Sequence, residues 1–308
     1  MQSRVLRIGT RGSPLALAQA TMVQAQLASA HGVPAEAFEL KIIRTTGDVI
    51  QDRPLSEVGG KGLFTKEIEE ALIAGEIDLA VHSAKDLPTL LPPGLAIVAV
   101  LTREDPRDVF ISRKAKTLRE LAAGATVGTA SLRRQALVKR LRPDLKVVTF
   151  RGNVETRLRK LDEGVVDATL LALAGLRRLG LTGVATAILD TEEFLPAVGQ
   201  GIVALEARAD DTRTRTLLDR INSPDDATAL AAERAFLTVL DGSCRTPIAG
   251  HAKVAAGRLS FRGLIAKPDG SHVLETTREG AAAQASALGH DAGRELKERA
   301  GAGFFALA

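Results

Sequence analysis

Tryptophan and tyrosine are absent from this chain of 308 residues, cysteine occurs once and histidine five times. A single thiol cannot close an internal disulfide, and no CxxC or Cys/His spacing for zinc surrounds it. The histidines (His31, His82, His251, His272 and His290) are scattered without metal-ligand spacing, so no metal is expected. Nine phenylalanines are the whole aromatic content, and most fall in apolar patterns. That removes the stacking platforms on which single-stranded nucleic acid binding usually depends. No apolar run approaches the roughly 20 residues that span a bilayer, and the longest, such as Gly94 to Leu101, have strand length. Met1-Gln2-Ser3-Arg4 leads straight into a strand-like run, so neither a signal peptide nor a membrane partner is expected. Scarce cysteine fits a reducing compartment, and the expected location is cytoplasmic. There is no G-x-S-x-G elbow, and Gly60-Lys61-Gly62 is not a phosphate-binding P-loop. Gly199-Gln200-Gly201-Ile202-Val203-Ala204 has a loose dinucleotide-binding form. It follows Leu195-Pro196 and runs into an apolar strand, so it reads as a turn returning the chain to its first domain.

What is present describes an ordinary globular protein: 45% hydrophobic and 25% charged residues, with a formal net charge of +4. The positive charge sits in particular loops rather than in runs, which favours small anionic ligands over nucleic acid. The length allows two or three domains. Strand-like and helix-like segments alternate, the signature of a parallel α/β sheet. Val5 to Gly9 reads as a strand, followed by a helix with Ser13 as N-cap, Pro14 at its first position and Gly32 as its stop. Leu40 to Thr45 and Ile77 to Val81 read as strands, Gly47 to Gly62 as a mobile loop, and Thr65 to Ala74 as a capped helix. A second block starts with strands at Ala125 to Gly128, Lys146 to Phe150 and Asp167 to Leu173. Ile8-Gly9-Thr10-Arg11-Gly12-Ser13 echoes Val127-Gly128-Thr129-Ala130-Ser131, which suggests two similar α/β domains facing a cleft. Asp226 to Leu240 reads as a helix. From Ile248 onward, segments with turns at Gly257 and Asp269-Gly270 read as antiparallel strands, closed by a helix over Gly280 to Ala302.

Three strand-to-helix loops combine a capping hydroxyl or amide with arginine: Arg11/Ser13, Ser131/Arg133/Arg134 and Arg151/Asn153/Arg157. Helix N-termini present free N–H groups, and arginine forks grip carboxylates at two points, so these loops suit a ligand carrying several carboxylates. Any one of these arginines taken alone reads better as a solvated charge, and it is their clustering at three equivalent loops that favours a ligand site. Lys139, Arg140, Arg142, Arg159 and Lys160 lie deeper in their helices and read as solvent-facing. Asp86 follows a strand end beside Lys85 in a loop closed by Pro88; it is either an acid/base residue in a cationic cleft or an ion-pair partner of Lys85. His82 reads as a packing or structurally hydrogen-bonded residue. Cys244, in Leu240-Asp241-Gly242-Ser243-Cys244-Arg245-Thr246-Pro247, is either a small buried residue or an accessible thiol whose thiolate Arg245 would favour.

At these residues the sequence resembles the porphobilinogen deaminase family. The ordered motifs are IGTRGSPLALAQA, VGGKGLFTKEIEEAL, VHSAKDLPT, GTASLRRQA, RGNVETRL, LALAGLRRLGL and LPAVGQG, with the cysteine loop after them, and they run nearly end to end. The resemblance implies a transferase joining four porphobilinogen molecules head to tail with loss of ammonia, giving hydroxymethylbilane for tetrapyrrole and haem biosynthesis. It implies a dipyrromethane cofactor bound through Cys244, a catalytic Asp86, and cofactor or substrate binding by Arg11, Ser13, Ser83, Lys85, Ser131, Arg133, Arg134, Arg151, Arg157 and Arg178. Lys61 in the lid and Phe64 just beyond it complete the implied set. The implied fold is two periplasmic-binding-protein-like (type II) α/β domains with a cleft between them, plus a small α+β domain with an antiparallel sheet. The boundaries would be 1–101 with 200–219, then 102–199, then 220–308, in a monomer able to hand its product onward. One departure stands out: the family commonly has Gly-Gly-Cys-Gln at the cysteine loop, and this chain has Gly242-Ser243-Cys244-Arg245. A competing reading is a non-catalytic two-lobed binding protein for a small polycarboxylate.

Overall fold

The computed structural model describes residues 6–49, 62–240, 246–301 and 303–304; Cys244, Arg245 and Lys61 lie outside them, as does most of the expected loop from Gly47 to Gly62. The described residues form two compact units. One lies within Met1–Asp52, Gly60–Glu104 and Gly201–Ala227, and the other within Asp105–Gln200 and Thr228–Ala308.

The first unit is built on a five-stranded sheet of β1 (Leu6–Thr10), β2 (Phe38–Ile42), β3 (Leu79–Ser83), β4 (Leu95–Val100) and β10 (Val203–Arg208), in the order β2-β1-β3-β10-β4. β1 runs parallel to β2 and β3, but β10 is antiparallel to both its neighbours. The alternation of elements reads as a parallel sheet, and the sheet is parallel over β2, β1 and β3 but mixed where β10 enters. Because the chain re-enters the sheet from the far side after Gly201, its returning strand runs against the others. Side chains alternate faces along a strand. Leu79 and Val81 meet Ala20, Val23 and Leu27 of α1 (Pro14–His31), while Ala80 on the other face meets Ile68 and Leu72 of α3 (Lys66–Ile73). α1 has the expected ends: Ser13 Oγ accepts from Ala16 N, Pro14 opens the helix, and Gly32 takes the left-handed conformation at φ +62°. Thr65 occupies the N-cap position of α3, although its hydroxyl makes no capping bond. The expected loop after Thr45 opens with a helical turn, α2 (Thr46–Val49).

The second unit repeats the plan in the order β7-β6-β8-β5-β9, from β5 (Asp108–Ser112), β6 (Thr126–Gly128), β7 (Lys146–Val148), β8 (Ala168–Ala172) and β9 (Ala187–Ile188). Here β5 takes the antiparallel place that β10 takes in the first sheet. Both sheets therefore have one permuted, mixed order, the type II periplasmic-binding-protein arrangement. β5 was not expected from the sequence, yet it lies between β8 and β9. Its helices α4 (Leu132–Leu141), α5 (Val154–Asp162) and α6 (Leu173–Arg178) follow β6, β7 and β8.

The same unit holds the antiparallel sheet β11 (Ile248–Ala255), β12 (Arg258–Ala266) and β13 (Val273–Ala281), together with α8 (Pro224–Val239) and α9 (Ala285–Ala300); α7 (Thr212–Leu218) belongs to the first unit. The last helix starts five residues later than expected, because Gly280 and Ala281 still pair in β13. The antiparallel sheet is buried from both sides. Ala249, Leu264 and Ala266 share a core with Phe110, Leu137 and Phe194, while Phe236, Phe261, Ala292 and Leu296 form a second core with α8 and α9.

Candidate functional site

Five of the residues expected from the sequence meet in one pocket of the first unit: Arg11, Ser13, Phe64, Ser83 and Asp86. Arg11 and Ser13 come from the loop between β1 and α1, and Ser83 and Asp86 from the end of β3 and the 3₁₀ turn Ala84–Asp86 behind it. Because β1 and β3 are parallel neighbours, their carboxyl ends bring both loops to one edge, next to the N-terminus of α1. Leu15, Ala16, Gln19, Thr65, Val81 and His82 complete the walls.

Each polar group is placed by a local contact. Arg11 stacks over Phe64, its guanidinium carbon 4.2 Å from the ring centroid. Phe64 is seated by Gly47: a Cβ there would meet its ring atoms at 2.4 Å, and Gly47 N donates to Leu63 O at 2.7 Å. Ser83 shares its parity with Leu79 and Val81, so it faces α1, where Gln19 Nε2 donates to Ser83 Oγ at 2.9 Å. Gln19 is a buried polar residue that the sequence reading passed over inside an Ala/Leu/Gln helix. Asp86 is exposed in the mouth of the pocket, and exposed Lys85 precedes it without forming a wall.

His82 has the opposite parity and faces α3. It is 5% exposed, with Nε2 3.1 Å from Oε2 of wholly buried Glu206, although the two are out of line for a hydrogen bond. Burial pushes the nearby Glu69 carboxyl up, and the charge of Glu206 adds to this while His82 opposes it. His82 is thus packed, as expected, but it packs against acids.

In the second unit, Ser131 caps α4, its Oγ accepting from Arg134 N at 3.4 Å. Arg133 and Arg134 are buried, and both hold Asp108 at the start of β5. Arg133 Nη2 donates to Oδ2 at 2.7 Å and Arg134 Nη2 to Oδ1 at 2.8 Å. Their other terminal nitrogens donate to Leu195 O and Leu170 O, and Gln200 Nε2 adds a third bond to Asp108 at 2.9 Å. Burial alone would raise the Asp108 carboxyl; the charges and hydrogen bonds of the two arginines overcome it and hold the group far below the usual carboxylate range. Burial pushes Arg133 down, against the pull of Asp108. Both Nε atoms are buried without a hydrogen-bond partner. Arg151 and Arg157 flank the start of α5, which Asn153 Oδ1 caps by accepting from Thr156 N at 2.8 Å; Arg157 Nε donates to Gly152 O. Arg178 ends α6. Among the residues read as solvent-facing, Lys139 and Arg142 instead tie down main-chain carbonyls near the end of α4.

No group of three or more His, Cys, Asp or Glu suited to a metal occurs among the described residues. No helix among them is long and apolar enough to cross a membrane.

The profile described as "Porphobilinogen deaminase, dipyromethane cofactor binding domain" matches residues 6–216, and that of the "Porphobilinogen deaminase, C-terminal domain" matches residues 227–298. The chain belongs to the porphobilinogen deaminase family. Relatives in the family include the porphobilinogen deaminase of Nitrobacter winogradskyi, 65% identical over 97% of this chain and 95% of the relative. That of Nitrobacter hamburgensis is 64% identical over the same shares. Among solved structures, the methionine-binding protein MetQ aligns with 72% of this chain and 92% of its own at 16% identity and a TM-score of 0.46. A nutrient-binding protein from Burkholderia cenocepacia aligns at 16% identity and 0.43, over 76% and 95%.

Proposed function

We propose that this chain condenses four porphobilinogen molecules head to tail, releasing ammonia at each step, and liberates hydroxymethylbilane for tetrapyrrole biosynthesis. The observation that carries this reading is the grouping of Arg11, Ser13, Ser83 and Asp86 in one pocket of a chain whose family match runs from residue 6 to residue 298. The family match favours an enzyme over a non-catalytic polycarboxylate-binding protein.

The donor set fits a dipyrromethane cofactor, which would be tethered through Cys244 and would supply the pyrrole from which the product grows. Pyrroles that carry carboxylates need cationic and N–H donors. The N-terminus of α1 and the Arg11 guanidinium provide them beside Asp86, while Arg133 and Arg134 are committed to Asp108 and to main-chain carbonyls and would reach a carboxylate only by giving up those bonds. Lys85, Ser131, Arg151, Arg157 and Arg178 would add contacts to carboxylates, and Lys61 would act from the lid. Asp86 accepts hydrogen bonds from pyrrole N–H groups and balances positive charge that develops when the amine departs. Phe64, held under Arg11, gives a ring an apolar face to lie on.

The three-part division at 1–101 with 200–219, 102–199 and 220–308 belongs to the same reading, as do a monomeric, cytoplasmic state and hand-over of the product to a following enzyme. Intact mass of the purified protein tests the tether: an adduct of two pyrrole units is expected, and it should vanish in Cys244→Ser. Asp86→Asn should keep the adduct and the thermal midpoint but lose about 10²- to 10⁴-fold in turnover. Full turnover in that variant would remove Asp86 from the mechanism, and an unmodified wild-type mass would remove the tether.

A further inference from the structure

The two chain segments that frame Phe64 are tied together at Glu67. Glu67 lies in the first turn of α3, half-buried, with its Oε2 turned into the protein. Its Oε1 accepts from Thr46 N at 2.9 Å and from the Thr46 hydroxyl, so one residue meets the carboxylate through main chain and side chain at once. Burial alone would raise the Glu67 carboxyl; hydrogen bonds, led by that from the Thr46 hydroxyl, outweigh it and hold the group below the ordinary carboxylate range. The next residue, Gly47, donates its N–H to Leu63 O at 2.7 Å, and a Cβ on it would lie 2.4 Å from Cδ1 and Cε1 of Phe64. The ring therefore fills the space beside Gly47, and its position follows that of Thr46. Arg11 lies over the ring at 4.2 Å, in the wall of the pocket that holds Asp86. Every link from Glu67 to the guanidinium is thus a hydrogen bond, a peptide bond or a direct contact.

We infer that Glu67 and Thr46 are positioning residues for porphobilinogen binding: they fix Phe64, and through it the place at which Arg11 presents its guanidinium to a substrate carboxylate. This rests on the condensation reading above. A loosely held arginine loses rotamer entropy when it grips a ligand, whereas a guanidinium already laid over a ring face has given up part of that freedom beforehand. An acid in the first turn of a helix also stabilises the helix through its dipole. That role needs only the charge of Glu67. Positioning needs its bonds to Thr46 as well, so changes at Thr46 separate the two.

NMR of arginine-labelled holoenzyme follows Arg11 and does not require turnover. Protons over a ring face are shifted upfield by the ring current, and Phe64→Leu identifies the Arg11 signals by removing that shift. In Glu67→Ala these signals should lose most of the shift; in Glu67→Gln, which keeps an acceptor for Thr46, they should retain most of it. Thr46→Val removes the hydroxyl bond and leaves the charge of Glu67 at the helix start. It should act in the same direction by less, and it is the second arm should Glu67→Ala fail to fold. In steady-state assays Glu67→Ala should raise KM for porphobilinogen about 2- to 5-fold, the scale of one exposed cation–ring contact, with kcat changing less than KM. Glu67→Gln should restore KM, and in a Phe64→Leu background Glu67→Ala should raise it no further. An unmoved Arg11 signal in Glu67→Ala overturns the positioning, and an effect that Thr46→Val does not share overturns the part given to Thr46. A moved signal with an unmoved KM overturns the role in binding, and a KM effect undiminished without Phe64 overturns the route through the ring. Wild-type enzyme that consumes no porphobilinogen would instead overturn the condensation reading, leaving the NMR result standing.

Discussion

The two halves of the sequence echo place the same device in two sheets and use it differently. In the first unit, Ser13 caps α1, and the basic residue, Arg11, precedes the cap, so it remains at the pocket rim over Phe64. In the second unit, Ser131 caps α4, and the basic residues follow the cap, so Arg133 and Arg134 lie on the first turn and are drawn inward to Asp108. A position two residues before a cap leaves a side chain beside the free N–H groups. A position two or three residues after it puts the side chain on the helix face that packs. The first arrangement favours an accessible site, and the second ties the site to the core.

If that contrast is right, the largest effect on folding comes from Asp108. Asp108→Asn would leave two buried guanidinium groups without their counter-charge, and breaking a buried pair of this kind costs about 3–5 kcal/mol. Urea denaturation should show the loss. Asp86→Asn, exposed in its pocket, should denature like the wild type. Equal stability of Asp108→Asn and the wild type would mean that the arginines are not held by Asp108.

A smaller effect separates the two echoing glycines. A Cβ on Gly9 would clash with the Cδ1 tip of Ile77 at 2.3 Å, its other neighbours lying at 3.5 Å, whereas a Cβ on Gly128 would meet Cγ and Cβ of buried Phe150 at 2.6 and 2.9 Å. The isoleucine tip can rotate away; the base of the phenylalanine cannot. Gly128→Ala should therefore cost about 1–3 kcal/mol by overpacking, and Gly9→Ala below about 1 kcal/mol, the scale of one displaced rotamer. Thermal melts of the two single variants rank them, and the reverse order would show that the strand ends are not packed alike.

The sequence carried the pocket well because its members sit in local patterns. Ser13-Pro14, the strand end before Asp86 and Gly32 each act within a few residues of themselves. The Asp108 network was not legible, since its members (Asp108, Arg133, Arg134 and Gln200) are brought together only by tertiary pairing. A signal for β5 was nevertheless present: Val109-Phe110-Ile111 is an apolar, β-branched run between Pro106 and Ser112, long enough for a buried strand. The antiparallel direction of β10 and β5 was not legible for a related reason, because strand direction depends on which connection returns the chain, and alternation of elements does not record that.

The smallest effect is one of sign, and it separates the two buried carboxylates. Asp108 is held below its ordinary range, so the stability it contributes is present above that range and is lost only as pH falls through the lowered folded value. Glu69 is raised, so its contribution is present below the ordinary range and is lost as pH rises through the raised value. Each slope is at most about 1.4 kcal/mol per pH unit for one proton. Between about pH 5 and pH 8, the stability deficit of Asp108→Asn should stay constant, while Glu69→Gln should gain on the wild type as pH rises. Denaturant titrations across that window measure both. An Asp108→Asn deficit that varies with pH, or a Glu69→Gln variant that runs parallel to the wild type, would mean that the two units hold their buried acids in the same way.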